Sequence, residues 1–127
     1  MTEKTINICG KDVKILYCAA TENGFEVMSK KSIYDINFTN QNDLFHLSLA
    51  AIIAAYEATE PNKEGQRPEP PVTTKDLMYE AKPADIISLF TSVLELRNKW
   101  YEVPEVVSSP ETVSSGEALE ESEQQKN

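Results

Sequence analysis

The sequence predicts a mainly α fold, a small helical domain over residues 1–104 with an N-terminal β-hairpin and a disordered acidic tail over 105–127. Three observations predict it. Apolar residues alternate on both sides of a turn near the N-terminus, and two later stretches carry them at helical spacing. From Glu105 onward the chain is rich in Ser, Glu and Gln and too poor in apolar side chains to offset the entropy of ordering. With 127 residues, 40% of them hydrophobic, there is material for one core.

The hairpin lies in "TINICGKDVKILYC". Ile6 and Ile8 alternate before the turn, and Val13, Ile15 and Tyr17 alternate after it. A two-residue loop at Gly10-Lys11 would pair Ile8 with Val13, Ile6 with Ile15 and Lys4 with Tyr17. Glycine first in the loop suits a type II′ turn. A slip of one residue would send the two apolar sets to opposite faces. In this register Cys9 opposes Asp12 and Cys18 opposes Glu3, so the thiols sit roughly 20 Å apart and cannot bond within one chain. Two unpaired cysteines and no secretory signal point to a reducing cytoplasm.

A short helix follows from about Thr21 to Lys30, with Phe25 and Met28 inward and Gly24 as its weak point. Ile33, Tyr34 and Ile36 are expected to re-enter the core. Thr39, Asn40 and Asn42 are candidate caps for the main helix, about Gln41 to Thr59. Leu44, Leu47, Ala51, Ala54 or Ala55 and Ala58 form one stripe of this helix. Phe45, Leu49, Ile52, Ile53 and Tyr56 cover most of the rest. A helix apolar nearly all round is a central one, and its alanines permit neighbours to approach closely. Both Ile52 and Ile53 are therefore expected in the core.

Four prolines and a glycine make Glu60 to Pro71 a surface loop. "VTTKDLMYEA" opens a short helix with Thr73 and Asp76 in a capping-box arrangement. The last helix begins near Pro83, carries Ile86, Leu89, Phe90, Val93, Leu94, Leu96, Trp100 and Tyr101, and stops at Pro104.

The net charge is −9. The body holds 15 acidic and 11 basic residues up to Pro104, and the tail holds six Glu against one Lys. The body is only mildly acidic, which argues against nucleic-acid binding, where a basic face is the expected footprint. The apolar run Leu44 to Tyr56 falls short of the roughly 20 residues that span a membrane, and Asp43 and Glu57 flank it. Neither nucleic acid nor membrane is an expected partner.

The catalytic inventory is thin. His46 is the only histidine, and Asp43, Leu49 and Ala50 beside it are a poor zinc set. The four glycines form no phosphate loop. Cys9 and Cys18 have no histidine nearby in sequence to generate a thiolate. Asp76 and Glu80 share a helix face, the ordinary pattern of a solvated surface. A non-enzymatic protein without metal or cofactor is expected. Interaction chemistry is richer, because "LELRNKWYEVP" places Leu96, Trp100 and Tyr101 at the end of the last helix, where Trp, Tyr and Arg are typical hot-spot residues. Trp100 also lines up with Val93 and Leu96, so capping the core is the alternative reading. The acidic tail is either a solubiliser or a segment that docks on a basic surface.

The order of these elements resembles the tail assembly chaperones of long-tailed bacteriophages and prophages. The local matches are the "INxxGKxxxI" hairpin, the helix ending in "KSIYDI", and the "TTKDLM" helix start, within about Lys4 to Pro104. The resemblance implies a cytoplasmic protein of a bacterial host that binds the tape measure protein, keeps it soluble and helps recruit tail tube subunits. It carries over no catalytic, cofactor or binding residue. The proline loop is an insertion relative to that pattern. Covering a long partner also implies many copies, with the apolar face of the last helix partly shared between chains. A head–tail joining adaptor and a helical regulatory protein of a mobile element are the alternatives.

Overall fold

The computed structural model describes residues 2–102. The tail expected to be disordered, 105–127, lies outside the described residues. A hairpin of β1 (Thr2–Ile8) and β2 (Lys11–Tyr17) comes first. Helix α1 (Ala19–Ser29), a 3-10 turn (Ile33–Asp35), helix α2 (Gln41–Glu57), a π-helical turn (Asp76–Glu80) and helix α3 (Pro83–Tyr101) follow.

The strands are antiparallel as the alternation predicts, but the register differs from the one read off the sequence. The loop is Cys9-Gly10, and it pairs Ile8 with Lys11, Ile6 with Val13, Lys4 with Ile15 and Thr2 with Tyr17. Both loop residues have positive φ, 54° at Cys9 and 76° at Gly10. That is the signature of a type I′ turn, whose twist matches the strands it joins. The displacement from the expected register is two residues, so the same side chains keep the same face. Ile6, Ile8, Val13, Ile15 and Tyr17 are all buried. Leu16 is buried too, between Ile15 and Tyr17. Because successive residues point to opposite faces, the end of β2 is covered on both sides. All three helices contact this strand, and α3 also runs along β1.

Helix α1 begins two residues earlier than expected and ends at Ser29, where the left-handed backbone of Lys30 closes it. Thr21 is wholly buried and donates its hydroxyl to the Leu16 carbonyl at 2.6 Å, which ties the helix to β2. Gly24 is explained by packing: a Cβ there would lie 3.1 Å from the Cβ of Ala50 on α2. The small residues let α1 and α2 cross closely.

Of the three candidate caps, Asn40 caps α2, accepting the Asp43 N–H at 3.1 Å. The helix is central, with Leu47, Ala51, Ile52, Ala54 and Ala55 buried. Three residues expected inside are exposed. Ile53 is 41% exposed, since its side of α2 meets only the proline loop around Arg67 and Pro68. Tyr34 is 89% exposed, because the 3-10 turn buries Ile33 and sends the next side chain outward. Ala58 is exposed beyond the end of α2.

Thr73 and Asp76 form the anticipated reciprocal cap, with each backbone N–H donating to the other's side chain at 2.9 and 3.1 Å. The turn they open is wider than an α turn, since the Ala81 N–H reaches the Asp76 carbonyl at 2.9 Å. Pro83 then starts α3, and Leu89, Val93 and Leu96 form its buried stripe. No helix among the described residues is long and apolar enough to cross a membrane.

Candidate interaction surfaces

The residues singled out for chemistry are scattered. His46 is half-buried on α2 and its Nδ1 has no hydrogen-bond partner. Cys9 sits in the hairpin turn beside the start of α3. Burial pushes its thiol pKa up, and the carboxylates of Asp85, Asp76 and Glu80 push it further, against the opposing charge of Lys11. A thiol held protonated this way is a poor nucleophile. Both cysteines are free. Among the described residues, no three His, Cys, Asp or Glu side chains come together as a metal site.

The two ends of α3 carry apolar surface instead. At its C-terminal end Trp100 lies against the buried Tyr17, with ring centroids 5.5 Å apart and the planes tilted by 56°. Tyr101 meets Trp100 edge-on at 5.0 Å. Of the three residues expected to bind a partner, Leu96 is in the core, while Trp100 is 38% exposed and Tyr101 is exposed beside it. Trp100 therefore packs on Tyr17 while part of its ring stays open.

One carboxylate organises this end. Glu22 Oε2 accepts the Tyr17 hydroxyl at 2.9 Å and the Tyr101 hydroxyl as well, clipping α3 to α1. Burial, then the bond to Glu22 and its negative charge, raise both phenol pKa values, that of Tyr101 to about 12. Beside them the Arg97 guanidinium lies between two rings, 4.7 Å from the Phe38 centroid and 4.6 Å from that of Tyr101. Phe38 and Tyr34 extend the exposed aromatic face.

At the other end of α3 a groove of about 550 Å³ runs between α2, the π turn and α3. Phe45, Leu77, Met78, Ile86, Ile87 and Phe90 line it. Leu77 forms its buried floor, whereas Met78 and Ile87 stand 60% and 64% exposed on its walls. Sequence reasoning counted Phe45, Ile86 and Phe90 among the apolar residues of their helices and passed over Ile87. The available signal was Ile87 itself, an apolar residue off the buried stripe of Leu89, Val93 and Leu96. Large apolar side chains left in the open beside a concave surface mark interaction sites.

Compared with family models, curated proteins and solved structures, the chain matches none.

Proposed function

We propose that this protein is a non-enzymatic tail assembly chaperone of a long-tailed phage or prophage, which binds the tape measure protein in the bacterial cytoplasm and assists tail tube assembly. The observation that carries the reading is the apolar groove with Met78 and Ile87 exposed along it. A tape measure protein is long, helical and apolar on one face. A groove walled by two helical segments accepts such a face in the helix-in-groove manner, with anchors at helical spacing. Methionine adapts to differing apolar partners because its chain is unbranched and polarisable. That suits repeated binding along an extended segment rather than one fixed contact.

The element order supports the same reading. The hairpin, α1, the alanine-rich α2, the turn opened by "TTKDLM" and α3 follow one another as the resemblance requires. The net charge of −9 favours solubility of a complex whose partner is apolar. Copies binding side by side along the tape measure protein would account for exposed apolar surface at both ends of α3.

Co-expression with the neighbouring tape measure protein, followed by affinity capture and sizing with light scattering, tests this. A soluble multi-copy complex is the expected result, lost in Met78→Lys and Ile87→Lys variants that remain folded. A tape measure protein equally soluble alone, and not captured, overturns it.

A further inference from the structure

The two long edges of the hairpin are treated differently. On β2 the Lys14 N–H donates to the Tyr56 hydroxyl at 3.1 Å, and the Leu16 carbonyl accepts the Thr21 hydroxyl at 2.6 Å. In an antiparallel pair the backbone groups of alternate residues point into the ladder, and those between them point away from it. Lys14 and Leu16 are therefore outward positions of β2, and their partners across the ladder, Thr5 and Glu3, are outward positions of β1. Asn7 follows by the same alternation. Glu3, Thr5 and Asn7 are exposed, and among the described residues no further hydrogen bond reaches their backbone groups. Side chains of α1 and α2 thus occupy the β2 edge, while the seven-residue β1 presents an open one. Edges of this kind are ordinarily blunted by a proline, a bulge or an inward charge. β1 has no proline and pairs without a bulge from Thr2 to Ile8. Its one lysine, Lys4, shares the face of Ile6 and is held by Glu95 of α3 at 3.3 Å. Beside it a shallow hollow of about 500 Å³ runs between Lys4 and the exposed Ala84, Ile87, Ser88 and Thr91. Helix α3 flanks the edge without covering it.

The strand is complementary to itself. An antiparallel copy centred on Thr5 sets Thr5 opposite Thr5, Glu3 opposite Asn7 and Lys4 opposite Ile6, and it engages every outward group in about six backbone hydrogen bonds. A shift one way sets Lys4 against Lys4, a like-charge pair that destabilises. A shift the other way carries Glu3 past the end of the facing strand at Ile8. We propose that β1 pairs with β1 of a second copy in the register centred on Thr5, joining two hairpins into one four-stranded sheet. It is this self-complementarity that identifies a second copy as the occupant. The small side chains of Ala84, Ser88 and Thr91 let the two α3 helices approach as the strands meet. None of Glu3, Thr5 and Asn7 lines the apolar groove, so the pairing is independent of what binds there.

Sedimentation equilibrium of the full chain over a range of concentrations is expected to show a reversible monomer–dimer equilibrium, since edge pairing over seven residues is a small interface. Thr5→Pro removes the central outward donor but no ladder bond, so it is expected to melt like the parent chain and to stay monomeric. Position 7 separates this register from other contacts. Asn7→Lys faces Glu3 of the second copy at both symmetric positions and is expected to tighten dimerisation about fivefold, whereas Asn7→Glu loosens it by a similar factor. Hydrogen exchange reads the edge itself: the Thr5 and Asn7 amides are expected to slow as concentration rises. The Asn7 variants keep the test valid should Thr5→Pro fail to fold. A chain monomeric at every concentration overturns the proposal, as does a dimer that Thr5→Pro leaves intact or whose affinity ignores the charge at position 7. Edge amides that exchange slowly in the monomer also overturn it, and identify a cover supplied by the chain itself.

Discussion

Lys31 Nζ lies 2.6 Å from Asp43 Oδ2, and the same oxygen accepts the Asn37 N–H at 2.9 Å. A buried carboxylate in the first turn of α2 thus holds both the end of α1 and the segment after the 3-10 turn. The Lys31 bond, then the Asn37 N–H, keep its pKa below the ordinary 3.8 despite burial. A carboxylate depressed in the folded state contributes stability that is full above its unfolded value and is lost as pH falls through the folded one. The urea midpoint is therefore expected to drop on acidification below pH 3.8. Asp43→Asn should cost about 1–3 kcal/mol at neutral pH, and should flatten this acid limb.

Ile52 and Ile53 are neighbours with opposite fates, 2% and 41% exposed. Aspartate at position 52 places an unpaired charge in the core and is expected to abolish cooperative unfolding. Aspartate at position 53 faces solvent and the proline loop, and should cost about 1 kcal/mol. Thermal melts of the two variants, followed by far-ultraviolet circular dichroism, separate them. Two equally unfolded proteins would show that the proline loop seals that side of α2.

The Glu22 clip predicts behaviour in alkali. The Tyr101 phenol is pushed up to about 12 and that of Tyr17 further, so both are expected to ionise late in a titration followed by ultraviolet absorbance. A group whose folded pKa is raised contributes stability that is present below its unfolded value and is lost as pH rises through the folded one. The contribution of Tyr101 should therefore fade between about pH 10 and pH 12. Tyr101→Phe should remove one late step and leave the buried Tyr17 step in place. Glu22→Gln should bring both steps down in part, because burial is the larger cause for each.

Period alone made much of the architecture legible. Alternation at Ile6, Ile8, Val13, Ile15 and Tyr17 marked the hairpin, and Pro83 with the Leu89, Val93 and Leu96 spacing marked α3. What period cannot do is rank faces on an element that is apolar all round. On α2 nothing in the pattern distinguishes Ile53 from Ile52, and only the position of the neighbouring segments does. The groove was hidden for a related reason. Phe45, Ile86 and Phe90 carry the spacing of core residues, but the π turn that brings Leu77 and Met78 beside them has no periodic signal in so short a segment. The aromatic end was easier to find, since Trp100 and Tyr101 are distinctive by type. That Arg97 lies between the Phe38 and Tyr101 rings became visible only once its surroundings were known.

The hairpin register has a kinetic side. A chain closing on Gly10-Lys11 would point the same five apolar side chains to the same face as one closing on Cys9-Gly10. Hydrophobic collapse therefore cannot discriminate between the two arrangements, and the conformational preferences of the turn must. A strand zipped two residues out of step has to unzip before Thr2 can meet Tyr17. The native register is thus tied to a turn whose two residues, Cys9 and Gly10, both take positive φ.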